Sequence, residues 1–422
     1  MTAHRILVIA HGHPDFSKGG GEIAAHNLFR ACRDAPGVEA AWFLARADLG
    51  RGAVGRISLR RADEYLWEQG TPDVFTMRSA NRFEVLGYFA ELLRALRPTV
   101  VHLHHYLHLG LDILRVIRQV DPRIRIVVTL HEYMAICLQN GQMVKRGSLK
   151  LCYRSDYEDC HRCFPERTPE EFWLRRQRFL RAFDLVDHFV APSRFLRARY
   201  IAWGLEADRI GVIENGQADC TALPPRPLGP GETRNRFAFF GQVNPYKGVS
   251  VLLAALNALP KAKRKSIALE IHGANLETQT QDFRDGIEAL RRPLEKEGVL
   301  DWIGPYEAEQ LPGRMAGIDW VVVPSVWWEN SPMVIQEAFA LGRPVVVSDI
   351  GGMAEKVQDG VNGRHVQAGN VGAWSAALLE LSQQTGEWDA LRAGIVKPAT
   401  HAQCAEQHLD LYSAPASAEA TA

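Results

Sequence analysis

"PSVWWENSPMVIQEAFALGRPV", residues 324 to 345, is the stretch from which this chain is read. The apolar run Val321–Val323 before it reads as a buried strand, and Met333–Leu341 reads as a helix. Pro324–Pro332 is then a strand-to-helix loop, and it holds a glutamate, Glu329, that an ordinary buried segment has no need of. At the helix start the backbone N–H groups of Ser331, Met333 and Val334 point outward, while Pro332 has none to give and suits a first turn. Free N–H groups and the positive end of the helix dipole favour an anion, most commonly phosphate. Glu337 lies about one turn into the helix, where its carboxylate can accept from two adjacent sugar hydroxyls, and Glu329 can do the same for a second sugar. The bland alternative is a solvated helix residue and a loop charge.

Working outward, "FFGQVNPYKG" (239–248) is a strand and a loop that carries Lys247, a cation suited to a pyrophosphate, before another helix. Near the N-terminus "RILVIAHG" (5–12) reads as a buried strand, and "KGGGEIAAHNLFRAC" (18–32) as a glycine loop and helix, with Gly19 and Gly20 at its start. Further strands are expected at 99–105, 125–132, 187–193 and 209–216, with helices such as 83–96 and 172–183 between them. Strand, crossover helix, strand, repeated, is a doubly wound α/β domain. A Pro- and Gly-rich stretch, 217–235, reads as a linker. The pattern then restarts over 236–397. Two Rossmann-like domains, 1–216 and 236–397, are therefore expected to face each other across a central cleft, since ligands of open α/β sheets sit beyond the carboxyl ends of the strands. The C-terminal helix, about 398–412, is expected to pack back on the first domain, and 413–422 to be disordered.

At 422 residues the chain exceeds one typical core, in keeping with two domains. Its 49 basic and 49 acidic side chains give zero net charge, so bulk attraction to nucleic acid is not expected. No apolar run spans a bilayer, and the His-containing N-terminus does not read as a signal peptide. The expected location is the cytoplasm, with at most peripheral contact at the inner face of the membrane. Seven cysteines do not suggest a secreted disulfide framework.

The pattern P-S-x3-E-x7-E-A-x-A-x-G-x-P-V, from Pro324 to Val345, resembles the retaining glycosyltransferases of family 4 (glycosyl transferases group 1), which have the GT-B fold. Supporting matches are "GGGE" (19–22), "VVHLHH" (100–105), "TLHEY" (129–133), "VIENG" (212–216), "FFGQVNPYKG" (239–248), "WIGPY" (302–306) and "DIGGMAE" (349–355). The resemblance implies transfer of a sugar from a nucleotide-sugar donor, bound mainly to the second domain, to a carbohydrate, lipid-linked or small-molecule acceptor. Glu337 would hold the ribose, Glu329 the donor sugar and Lys247 the pyrophosphate, helped by the Met333, Val334 and Gly20 backbone. Gly304–Tyr306 would border the base, and His131 would reach the donor sugar from the first domain. The chain departs from many relatives in having Gln242 where an Arg follows the glycine of "FFG". No D-x-D occurs, so no catalytic cofactor is expected.

Cys137, Cys152, Cys160 and Cys163 cluster in one segment, 137–163, as a ligand set for a structural zinc or as reduced thiols. His102, His104, His105 and His108 read as hydrogen-bonding imidazoles lining a strand end. In "FWLRRQRFLRAF" (172–183) Phe172, Trp173, Phe179, Leu180 and Phe183 fall on one arc, with Arg175, Arg178 and Arg181 mostly outside it and Arg176 inside it. That is a core-packing helix with a basic outer face, or a membrane-surface helix. Three rivals stand beside sugar transfer. An epimerase or phosphorylase would share the architecture. A nicotinamide oxidoreductase lacks its G-x-G-x-x-G here. A non-catalytic binding member is separated only by assay.

Overall fold

The computed structural model describes residues 3–17, 19–47, 55–69, 73–79, 82–384 and 386–414, with backbone only for 82–85. Lys18, which opens the glycine loop, and the expected tail from 415 onward lie outside these residues. The chain divides into unit 1, Met1–Gly216 with Ala399–Ala422, and unit 2, Gln217–Pro398.

Unit 1 opens with β1 (His4–Ala10), α1 (Gly20–Arg33), β2 (Val38–Ala47), β3 (Ile57–Arg61) and β4 (Glu64–Glu68). It continues with α2 (Arg82–Leu96), β5 (Val100–Leu103), α3 (Asp112–Val120), β6 (Arg125–Thr129) and α4 (Tyr157–Cys163). Then come α5 (Pro169–Phe183), β7 (His188–Ala191), α6 (Arg194–Trp203) and β8 (Ile210–Val212). The sheet order is β3-β4-β2-β1-β5-β6-β7-β8, parallel except for the β3–β4 edge hairpin. The sequence reading contains no strand at β2, β3 or β4. Alanine-rich β2 becomes a strand through its parallel pairing with β1, and β3 is an exposed edge with no alternation to read.

Unit 2 contains β9 (Arg236–Gln242), α7 (Val249–Ala258), α8 (Lys261–Arg264), β10 (Ala268–Ala274), α9 (Gln281–Lys296) and β11 (Leu300–Trp302). It goes on through α10 (Leu311–Ala316), β12 (Trp320–Val323), α11 (Met333–Ala340), β13 (Val345–Ser348) and α12 (Gly351–Lys356). It ends with β14 (Gly363–Val366), α13 (Val371–Gln383) and α14 (Glu387–Ala393). Its sheet, β11-β10-β9-β12-β13-β14, is wholly parallel. Strand alternation gives it two cores: Phe237, Phe239, Trp320, Val322 and Val346 on one face, Ala238, Phe240, Val321, Val345 and Val347 on the other. The chain winds outward from β9 to β11 and returns on the other side of β9 with β12. The loops after β9 and β12 therefore lie side by side at the carboxyl edge, at the switch point where ligands of such sheets bind.

The 217–235 stretch is irregular as its composition suggests, yet it is packed onto unit 2 rather than free. Leu223 N donates to Leu341 O at 3.1 Å, and Arg226 pairs at 3.0 Å with the fully buried Asp319, which also takes Arg234 at 3.2 Å. The last helix, α15 (His401–Ser413), belongs to unit 1. Its Tyr412 hydroxyl meets His102 Nδ1 at 2.6 Å, and its Cys404 thiol donates to Glu214 O at 3.3 Å.

Helix α5 starts at a Thr168–Glu171 capping box with Pro169 in the first turn. It buries Phe172, Arg175, Phe179 and Phe183, whereas Trp173 is exposed. The expected arc is thus wrong by one aromatic and one arginine. Arg175 goes inside because its terminal nitrogens donate to Met134 O and Ala135 O, so its polar head is satisfied by backbone. Among the described residues no helix is long and apolar enough to cross a membrane.

Candidate active site

In unit 2 three loops meet at the carboxyl edge, backbone against backbone. Gly248 sits at φ +72°, and a Cβ there would stand 1.9 Å from Pro324 O, so only glycine lets the β9–α7 loop touch the β12–α11 loop. Asn244 Oδ1 accepts from the N–H groups of Tyr246 (3.0 Å) and Lys247 (3.2 Å), and Val326 N donates across to Tyr246 O at 2.9 Å. From the third loop Gly352 N donates to Glu329 O at 2.7 Å, at a spot where a Cβ would lie 1.6 Å from Asn330 O.

These contacts bring Lys247 and Glu329 together. The ammonium is 2.7 Å from Glu329 Oε1, which also accepts from Ser325 Oγ at 2.8 Å and Trp327 Nε1 at 2.9 Å. Glu329 is buried, and all three donors meet on one of its oxygens. An ammonium has three N–H donors, so Lys247 can hold this carboxylate and still offer charge to a bound phosphate. Ser325, Trp327, Asn244 and the two glycines are absent from the sequence-derived site. For Asn244 and the two glycines the signal is the N-P-Y-K-G and D-I-G-G turn chemistry, Ser325 is the serine of the P-S-x3-E pattern, and Trp327 has none.

At the start of α11 the first-turn N–H groups of Met333 and Val334 have no intrahelical acceptor, and Pro332 precedes them as the cap. Glu337 follows one turn later. Its half-buried carboxyl makes no hydrogen bond or ion pair among the described residues, and burial pushes it up to about 7. Tyr306 is its neighbour, its hydroxyl raised by burial and by the Glu337 charge. The Tyr306 ring stands edge-on to Phe240 at 5.7 Å, and Phe240 stacks on His272 at 4.4 Å. Arg314 lies 5.7 Å over Tyr306 and donates to His272 Nδ1 at 3.1 Å and to Pro305 O at 3.0 Å. Gly304, at φ +87°, turns the chain into this shelf. Gln242 is exposed at the end of β9.

In unit 1 Gly19 caps α1 without a side-chain bond, and Gly20 is its first residue. This helix start has a carboxylate of its own beside the glycines. The buried Glu22 carboxylate turns back over it, holding Ser17 Oγ, and a Cβ on Gly19 would be 2.3 Å from Glu22 Oε2. His131, half-buried, shares a 3.0 Å hydrogen bond between its Nε2 and His104 Nδ1 and is pushed down to about 3 by burial, so it is neutral. His102 does not line the strand end. It is fully buried between the Tyr412 hydroxyl and Thr129 Oγ1 (2.7 Å).

Among the described residues, the one group of three metal-ligating side chains whose ligand atoms all lie within 4.8 Å is His13, His26 and Glu64. Asp15 N donates to His13 Nδ1 at 3.1 Å, which puts the ring proton on Nε2, aimed at Glu64 3.0 Å away, and Arg61 also donates to Glu64 at 2.8 Å. That is a satisfied hydrogen-bonded cluster. The four cysteines form no such group. Cys152 Sγ donates to Arg154 O at 3.2 Å, Cys163 Sγ accepts from Arg146 N at 3.1 Å, and burial pushes Cys137 up to about 11. A structural zinc needs gathered thiolates. As placed, these residues do not fit the zinc that their spacing suggests.

Residues 18–217 match the family model described as Glycosyltransferase Family 4, and residues 225–396 match Glycosyl transferases group 1. D-inositol 3-phosphate glycosyltransferase of Salinispora arenicola is 29% identical over 53% of this chain and 49% of its own length. The Nocardia farcinica protein of the same name is 31% identical over 50% and 49%. The chain thus spans about half the length of the curated relatives it matches. Among solved structures, Anabaena HepE in complex with UDP and glucose has a TM-score of 0.65 at 18% identity, covering 98% of this chain and 100% of that one. Sucrose-phosphate synthase from Thermosynechococcus elongatus has 0.68 at 17%, covering 97% and 98%. These likenesses show the GT-B fold.

Proposed function

The chain belongs to the family 4, group 1 glycosyltransferases, and from that premise we propose that it transfers a sugar from a nucleoside diphosphate sugar to an acceptor hydroxyl with retention, in cytoplasmic glycan or glycoconjugate synthesis. The observation that carries this reading is the constellation at the unit 2 switch point. Lys247 and Glu329 are paired there, and Glu337 stands unbonded one turn into a helix whose first N–H groups are open.

In this reading the diphosphate meets Lys247 and the N–H groups of Ser331, Met333 and Val334, and exposed Gln242 adds a neutral donor. Glu337 accepts from the ribose hydroxyls, and Gly304–Tyr306 borders the base. Glu329, fixed by Ser325 and Trp327, orients the donor sugar. As the glycosidic bond breaks, negative charge grows on the leaving phosphate. Lys247 and the helix start stabilise that charge more than they stabilise the ground state, which is how they accelerate the step. A leaving phosphate on the same face as the acceptor can take the hydroxyl proton, consistent with retention. In unit 1, neutral His131 serves as a hydrogen-bonding group for a hydroxyl. Support comes from HepE, whose structures hold UDP and UDP-glucose.

The test is a thermal-shift panel of UDP-, GDP- and ADP-sugars, followed by transfer assays in which the anomeric configuration of the product is read by NMR. Stabilisation by one nucleotide-sugar class, lost in Glu337→Ala, is the expected result. A folded protein that binds none of them would end the reading.

A further inference from the structure

Between α5, the start of α3 and the 73–79 segment of unit 1 lies a cavity of about 650 Å³. Six arginines and three carboxylates line it, so its lining carries an excess of positive charge. Arg167 is paired with Glu171, and Arg178 with Asp112. Arg78, Arg115 and Arg181 are exposed and take no hydrogen bond or ion pair among the described residues. Arg175 is buried in the same wall, and its Nε has no partner. Beside the cavity, Trp173 is 48% and Leu174 58% exposed, two large apolar side chains side by side on a helix.

A soluble anion would use the arginines and leave Trp173 and Leu174 without a role. Exposed apolar side chains beside cations, here Arg181 of the same helix, Arg115 of α3 and Arg78 of the 73–79 segment, are what the water–lipid boundary rewards, where tryptophan is favoured and each basic residue gains from anionic headgroups. We propose that this cavity takes the phosphate-bearing headgroup of an anionic lipid, with Trp173 and Leu174 seated in the interface next to it. The site is built from unit 1 alone and uses none of the donor residues of unit 2, so the inference stands whether or not the sugar-transfer reading does.

The experiment is co-sedimentation of the whole chain with vesicles of phosphatidylcholine alone and of phosphatidylcholine with phosphatidylglycerol. The wild type should bind the second and not the first, less so as salt rises. Arg78→Ala, Arg115→Ala and Arg181→Ala should each weaken partitioning about fivefold, and together about a hundredfold. Trp173→Ala with Leu174→Ala should weaken it as well. All five side chains are exposed, so these variants should melt like the wild type and bind the nucleotide-sugar unchanged. Equal binding of the triple-arginine variant, or of both vesicle types, would overturn the proposal. So would thermal stabilisation by soluble glycerol phosphate with no vesicle binding, which would make the ligand a free phosphate.

Discussion

Consider Glu337→Gln, which keeps the side chain's shape and removes its charge. Burial lifts the Glu337 carboxyl to about 7 from an ordinary value of 4.5. If the ionised form holds the ribose, the fraction ready to bind falls from about nine-tenths at pH 8 to about one-tenth at pH 6. Affinity for a nucleotide-sugar should fall roughly tenfold over the same interval. A charged hydrogen bond contributes about 1.5–3 kcal/mol, so Glu337→Gln should bind about 10- to 150-fold more weakly at pH 8, with the pH dependence gone. Stability runs the other way. The folded chain keeps a proton that the unfolded chain has lost between pH 4.5 and 7, so the cost of burying Glu337 grows across that window and is fully present above it. It is at most about 3 kcal/mol, and less because water reaches this half-buried carboxyl. Glu337→Gln should therefore melt above the wild type at pH 8 and with it at pH 4.5. Calorimetric titration with UDP-glucose, whose diphosphate does not titrate in this range, reads the first effect, and thermal melts read the second. Equal affinity of the two proteins at pH 6 and pH 8, with superimposable melts, would refute the reasoning.

Lys247→Ala should lower kcat by about 10²-fold with a smaller loss of donor affinity, and Gln242→Arg should keep or raise turnover and partly rescue it. Near-normal kcat in Lys247→Ala would place the leaving-group charge elsewhere. Asp319→Asn leaves Arg226 and Arg234 without their buried counter-ion and should destabilise unit 2 by about 3–5 kcal/mol in urea unfolding. A loss under 1 kcal/mol would show that water or backbone replaces the carboxylate. Prolonged treatment with EDTA should leave activity and melting temperature unchanged. Finding about one zinc per chain, lost in Cys160→Ser together with stability, would show that the cysteines gather around a metal after all.

The chemistry-bearing half of this site is legible because strand-to-helix loops advertise themselves: an apolar run, a proline or glycine, then helical spacing. Lys247, Glu329 and Glu337 all lie on such loops or one turn beyond. What holds them is not legible. That Lys247 meets Glu329 depends on loop contacts that cross 82 residues of sequence, and that Ser325 and Trp327 converge on the same oxygen depends on an irregular turn; nothing in the periodicity records either. The strands of the fold show the same division. Apolar β1, β6 and β12 are readable alone, whereas β2 exists by virtue of its partner. In α5 the helical period places an arginine and an aromatic on the wrong sides, because backbone carbonyls of the 134–135 segment decide where Arg175 goes.

The return of α15 to unit 1 separates the order of synthesis from the order of completion. Unit 2 is one uninterrupted stretch, 217–398, inserted in sequence between the two pieces of unit 1, 1–216 and 399–422. On the ribosome the N-terminal 216 residues emerge first, but His102 must wait for Tyr412, and the Gly216 corner for His401, until the whole of unit 2 has been made. Vectorial folding ordinarily favours the N-terminal domain. Here the later-made domain can finish first while the earlier one stays open, and a frameshift or stop codon near residue 400 would deprive the N-terminal domain of its closing helix while sparing the C-terminal one.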